Sequence, residues 1–238
     1  ALESYKKSLK NNPMHLESLV NIGNVLKDLK DLKEAEIFYK KVIKCYPEEA
    51  VGHFNLSIIQ FLSNNYKFAW EGYEWRSRRK ESCIPHAIPE LKRFRGESIN
   101  KIQKLIIVSE QGLGDTIQFM RYIPYLRDKG INLSFLAQKK LHGLIKQSGI
   151  DPSPFSPEEV NLLTDGEWLP LLSIPKLLKV SYNNTLFSKT YIVAQTNLKN
   201  KWSNLFKNEK KPIIGICWQG NPDAEKGSLK GRSIPLAK

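Results

Sequence analysis

The sequence predicts an α part followed by an α/β part: paired helices repeating every 34 residues, then a parallel sheet wound with helices. Three observations predict it. Ala1, Ala35 and Ala69 stand 34 apart, as do Tyr5, Tyr39 and Tyr73, and Pro13 and Pro47. Near residue 100 the helical period stops, and Leu105-Ile106-Ile107-Val108 form a short apolar run suited to a buried parallel strand. That run meets Gly112-Leu113-Gly114 and then a helical rhythm, the strand–turn–helix order of a doubly wound layer. Residue 1 falls inside a repeat, so the sequence is expected to be a piece of a longer array.

Residues 16–49 make one helical unit. Leu19, Ile22, Gly23 and Leu26 recur at helical spacing and give its first helix an inward face. Gly23 and Ala35 are small where the two helices cross closely. Tyr39 and Val42 fill the space toward the next pair, and Pro47 closes the unit. The next unit starts at Ala50 and turns Phe54, Leu56, Ile59 and Leu62 inward. It ends in an aromatic cluster of Phe68, Trp70, Tyr73 and Trp75, expected to pack the last helix against the α/β part. Asn21 and Asn55 are also 34 apart, on the first helix of each unit. An amide both donates and accepts, so stacked asparagines on a concave face suit the backbone of an extended peptide. They equally suit backbone groups between repeats, and both readings stay open. The repeats are assigned residues 1–80.

Residues 81–103 read as an extended connector broken by Pro85, Pro89 and Gly96. The α/β part covers 104–209. A strand at 104–109 is followed by a helix through Ile117, Met120, Ile123 and Leu126, a strand at 131–137 and a helix at 139–147. A short strand near Trp168 leads into a turn carrying Ser173, and a helix surrounds Trp202. Residues 210–238 read as the start of a further domain, with a strand at 213–218.

Composition narrows the function. No stretch has the ~18 consecutive apolar residues of a membrane helix. The net charge is +13, from 37 basic and 24 acidic residues, but the lysines are dispersed at helical spacing. The densest basic run, around Arg76, Arg78, Arg79 and Lys80, lacks the interleaved stacking aromatics of single-strand binders. Nucleic acid is therefore disfavoured as a partner, and the charge is read as solvating helix faces. The three cysteines and four histidines are scattered, in no metal spacing, so no metal or bound cofactor is expected. Unpaired thiols point to a cytoplasmic setting.

The small, aromatic and proline positions at this period resemble the tetratricopeptide repeat. Asn21-Ile22-Gly23-Asn24-Val25-Leu26-Lys27 is similar to the repeats of the O-linked N-acetylglucosamine transferase, where an asparagine ladder binds substrates. That likeness implies a protein or peptide partner. Glu110-Gln111-Gly112-Leu113-Gly114-Asp115-Thr116, then Pro170-Leu171-Leu172-Ser173-Ile174-Pro175, Trp218-Gln219-Gly220-Asn221-Pro222 and Arg232-Ser233-Ile234-Pro235-Leu236 resemble glycosyltransferase domains similar to the ADP-heptose:lipopolysaccharide heptosyltransferases.

The resemblance implies a GT-B fold of two Rossmann-like domains, acceptor side first, with the present sequence stopping just inside the second. It implies transfer of a sugar from a nucleotide-diphosphate donor to a hydroxyl of a glycan or protein, and inactivity of this portion alone. Asp115 would be the general base, with Gln111, Gly112, Gly114 and Ser173 on the acceptor side. Gly220, Asn221 and Arg232 would lie beside the donor diphosphate. The residues themselves leave alternatives. Asp115 also suits a helix cap, Ser173 a structural turn, and the whole a non-catalytic scaffold with a degenerate α/β module.

Overall fold

A computed structural model describes residues 2–79, 84–96, 99, 102–186 and 190–215. Gly220, Asn221 and Arg232 lie outside the described residues. Residues 213–215 form no strand, and the rest of the strand expected there also lies outside. The chain divides into two compact units, residues 1–193 and 194–238. No helix among the described residues is long and apolar enough to cross a membrane.

The first unit opens with antiparallel helices α1 (Leu2–Asn11), α2 (Leu16–Asp28), α3 (Leu32–Cys45), α4 (Ala50–Leu62) and α5 (Tyr66–Tyr73), and a 3-10 turn at Glu74–Arg78. Local chemistry sets the boundaries. Asp31 caps α3 by accepting the Glu34 N–H at 3.2 Å. The turns from α2 to α3 and from α4 to α5 each pass through a positive φ, 64° at Lys30 and 59° at Asn64. These positions are again 34 apart, and neither is glycine; each left-handed residue costs roughly 1–2 kcal/mol. The crossing of α2 and α3 is as tight as the sequence predicts. A Cβ on Gly23 would stand 2.6 Å from the Tyr39 ring. Ala35, Tyr39 and Ile59 are fully buried between the pairs.

Two expectations for the array fail. Leu62 is 57% exposed rather than inward. Phe61 takes the inward place, edge-on to Trp70 at 4.5 Å and to Tyr73 at 5.8 Å between ring centres. Phe68 is 55% exposed and takes no part in the aromatic seal.

The sheet has three parallel strands, β1 (Leu105–Val108), β2 (Leu133–Leu136) and β3 (Glu167–Pro170), in the order β2-β1-β3. Leu105 pairs with Leu133 on one side and Glu167 on the other. All four residues of β1 are buried, which is why they read as an unbroken apolar run. Between β1 and β2 lie α6 (Leu113–Phe119) and α7 (Tyr122–Asp128); after β2 comes α8 (His142–Gln147).

Leu105 and Ile107 face the core that these helices cover with Met120, Ile123, Leu126 and Ile145. Ile106 and Val108 face a smaller core with Trp168 and Leu163, onto which Leu91 and Val160 pack. Val160 belongs to the 3-10 turn Pro157–Leu162, which returns the chain across this second face to β3. The winding therefore reverses between β1 and β3. Gly166 enters β3 at φ 103°, where a Cβ would stand 2.6 Å from the Lys104 carbonyl oxygen. The edge of β3 is covered by the connector: Phe94 N–H donates to the Trp168 carbonyl at 2.9 Å and Trp168 N–H to the Lys92 carbonyl at 3.0 Å.

After β3 the chain forms α9 (Ile174–Leu177), and the array rests on this region. Trp70 Nε1–H donates to the Val180 carbonyl at 2.8 Å, and Tyr73 packs on the larger sheet core. The second unit, by itself, contains α10 (Thr196–Leu205), with no buried residue and Trp202 stacked on Phe206.

Candidate functional site

The carboxyl ends of parallel strands are where a doubly wound sheet opens toward ligands, above all where the winding reverses. Here that place lies between the segments leaving β1 and β3. Val108 is followed by Ser109 and Glu110, both buried, and then by Gln111 at φ 63°. A left-handed glutamine is strained, so something must hold it. Its amide Nε2 donates to the Tyr73 hydroxyl at 3.2 Å, and its carbonyl accepts from Gln138 Nε2 at 3.4 Å. The loop is pinned from the helical array on one side and from the end of β2 on the other.

Gly112 and Gly114 are exposed, and a Cβ on Gly114 would meet nothing within 4 Å. Asp115 stands in the first turn of α6, half-buried. One carboxylate oxygen accepts the Gly112 N–H at 3.0 Å. The other takes no hydrogen bond from a described residue. Asp115 therefore caps its helix and still offers an oxygen. Beneath it, buried Thr116 donates to Gln138 Oε1 at 2.9 Å. Gln138 Nε2 lies 3.4 Å from His86 Nε2, and His86 Nδ1 lies 3.0 Å from Ser109 Oγ. Gln138 can only donate from that nitrogen, which assigns the His86 proton to Nδ1, donating to Ser109.

The crevice between β1 and β3 is filled by the array. Arg76 and Glu110 are each 1% exposed. Arg76 donates side-on to both Glu110 oxygens, from Nε at 3.0 Å and from Nη2 at 2.7 Å. Its Nη2 also reaches Ser173 Oγ at 3.0 Å, and Nη1 reaches Glu74 Oε1 at 3.0 Å. Ser173 in turn donates to Glu74 at 2.8 Å, and Glu110 accepts the Leu172 N–H at 3.1 Å. Burial works against the guanidinium charge, but the Glu110 and Glu74 carboxylates outweigh it and hold Arg76 above its ordinary pKa. Every strong donor and acceptor in this network has a partner, which a buried pair requires.

Arg76 thus corrects the reading of its basic run as a solvated face. Sequence reasoning also missed Glu110 as its partner. One signal pointed there: an acid two residues past an all-apolar strand needs a cation once buried. Ser173 sits 3% exposed inside this network.

In the array, Asn55 Nδ2 donates to Asn24 Oδ1 at 3.2 Å, and the Tyr39 hydroxyl donates to the same oxygen at 2.8 Å. Asn55 thereby ties α4 to α2. Asn21 is half-buried and makes no side-chain hydrogen bond to a described residue. Asn24, which joins Asn55 and Tyr39, was not singled out from the sequence because its equivalent one period on is Ile58. No cluster of metal-ligating side chains occurs among the described residues.

Comparison with known families matches residues 16–49 to the tetratricopeptide repeat. The chain carries a tetratricopeptide repeat. Its position coincides with α2 and α3, the unit delimited by the 34-residue period. No curated protein matches the chain. Among solved structures it is similar to MamA, at 23% identity over 31% of this chain and 43% of that one, with a TM-score of 0.29. It is also similar to YrrB, described as a TPR protein with an unusual peptide-binding site, at 23% identity over 32% of this chain and 39% of that one, with a TM-score of 0.30. The chain thus spans about two fifths of either structure.

Proposed function

We propose that the chain is the repeat and acceptor-side portion of a glycosyltransferase with a GT-B fold. The helical array holds a protein partner, and the loop after β1 serves sugar transfer. One observation carries the reading: at the carboxyl end of a parallel sheet whose winding reverses, Asp115 keeps one carboxylate oxygen open while its backbone is fixed. The acceptor hydroxyl attacks the anomeric carbon of a nucleotide-diphosphate sugar. The new C–O bond forms as the bond to the diphosphate breaks, its electron pair leaving with the diphosphate. Asp115 takes the hydroxyl proton. Gly112 and Gly114 leave space for the acceptor beside it. Gly220, Asn221 and Arg232 are assigned to the donor diphosphate by their likeness to the heptosyltransferase pattern, Arg232 stabilising the leaving charge.

The test is release of nucleotide diphosphate by the whole protein from a panel of nucleotide sugars, with and without protein acceptors. Asp115→Asn is expected to lower turnover by about 10²–10⁴-fold, the range for a general base, with folding intact. Equal turnover in Asp115→Asn, or none in the parent protein with any donor, refutes the reading. The second reading is a protein-binding scaffold, favoured by Arg76 filling the β1–β3 crevice. It predicts partner capture by the array and no nucleotide-sugar binding at all.

A further inference from the structure

A cleft of about 880 Å³ opens where the last helix of the array meets the connector and the segment after β3. Its charge is one-sided. Lys67 and Arg78 come from the array, Arg93 and Arg95 from the connector, and Lys176 and Lys179 from the segment after β3. Among the described residues, two carboxylates, Glu71 and Glu74, line the cleft with them. Both are engaged. Glu71 pairs with Lys176 at 2.9 Å. Glu74 is shared between Arg76 at 3.0 Å, Arg93 at 3.5 Å and the Ser173 hydroxyl. Arg78 stacks on the Trp75 ring at 4.5 Å, and its carboxylate partner among the described residues is the exposed Glu48, at 3.7 Å. Lys67, Arg95 and Lys179 have no carboxylate partner among the described residues.

Among the described lining residues, three separate chain segments thus bring an excess of four positive charges around one concavity, at a cost in mutual repulsion that an anion relieves. The volume falls in the range of small-molecule sites. Three guanidinium groups favour phosphoryl oxygens, which their planar forks engage in pairs. An isolated concavity of this size suits a compact anion rather than the extended stripe that a nucleic-acid backbone needs.

We propose that this cleft binds a small molecule carrying a diphosphate group. Its lining includes Ser173 but not Asp115, and the test below does not depend on sugar transfer. The diphosphate could be free or part of a nucleotide, and the test separates the two. Inorganic pyrophosphate, orthophosphate, uridine diphosphate and an oligoglutamate peptide are titrated calorimetrically into the chain at low salt, beside the variant Arg95→Gln/Lys179→Gln. Saturable pyrophosphate binding is expected, tighter than orthophosphate. The double variant should weaken it by about tenfold or more, since it removes two charges and their charge-assisted hydrogen bonds to the phosphoryl oxygens. Uridine diphosphate binding more tightly than pyrophosphate would specify a nucleotide; equal binding would specify free diphosphate. The unliganded double variant should melt no lower than the parent, because like charges have been removed. Three results overturn the proposal: no pyrophosphate binding by the parent, equal binding by a double variant that melts as the parent does, or preference for an acidic peptide over pyrophosphate.

Discussion

Replacing Glu110 by leucine should destabilise the first unit as much as truncating a buried strand residue does. The change leaves Arg76, 1% exposed, with one partly exposed carboxylate in place of two, and orphans the Leu172 N–H. Removing one member of a buried pair costs about 3–5 kcal/mol, against the small net value of an exposed pair. In a domain of this size each kcal/mol moves the melting temperature by roughly 2–4 °C, so a fall on the order of 10 °C is expected. The double variant Arg76→Met/Glu110→Leu removes both charges, and apolar replacement of a whole buried pair is commonly near neutral. It should therefore be more stable than Glu110→Leu alone, with a coupling of about 2 kcal/mol or more in the four-member cycle. Urea unfolding of the four proteins gives the numbers. A loss under about 1 kcal/mol for Glu110→Leu, or strict additivity of the two changes, would refute the claim that this pair bolts the array to the sheet.

Gly23→Ala should cost about 1–3 kcal/mol in urea unfolding, because its Cβ meets the fully buried Tyr39 ring, which has no room to retreat. Glu159 gives a pH effect of defined sign. Its carboxylate accepts both the backbone N–H and the hydroxyl of Ser156 at 2.7 Å, and these bonds hold its pKa below the ordinary glutamate value. A depressed folded-state pKa contributes stability above the unfolded-state value, and that stability disappears as pH falls through the folded-state value. An NMR titration should place Glu159 below ordinary glutamates, and Glu159→Gln should flatten the stability profile in that acid range.

The array was legible because every constraint on it is local and recurs. Gly23, Ala35 and Tyr39 must fit one crossing, and the sequence repeats two of them at the period of the array, as Ala69 and Tyr73. The strands were legible for a related reason. A strand buried on both faces has no polar alternation, and Leu105–Val108 shows none. The join between the two parts was not legible. Arg76 lies in a basic run that by pattern belongs in solvent, and Glu110 follows a strand without marking its partner. Their pairing depends on how the array seats on the sheet, which neither segment encodes alone. The open oxygen of Asp115 was equally hidden, because a cap and a base share one position in the sequence. The edge pairing of the connector with β3 arises from backbone groups, which carry no sequence signature.

Amide hydrogen exchange under native conditions tests most directly whether array and sheet are one body. Amides of α4 and α5 and those of β1 are compared in the parent chain and in Glu110→Leu. Both sets are predicted to open with the same free energy to within about 1 kcal/mol, and the substitution to lower both together. Array amides that exchange at a much lower free energy than β1, and do not respond to Glu110→Leu, would contradict a single body.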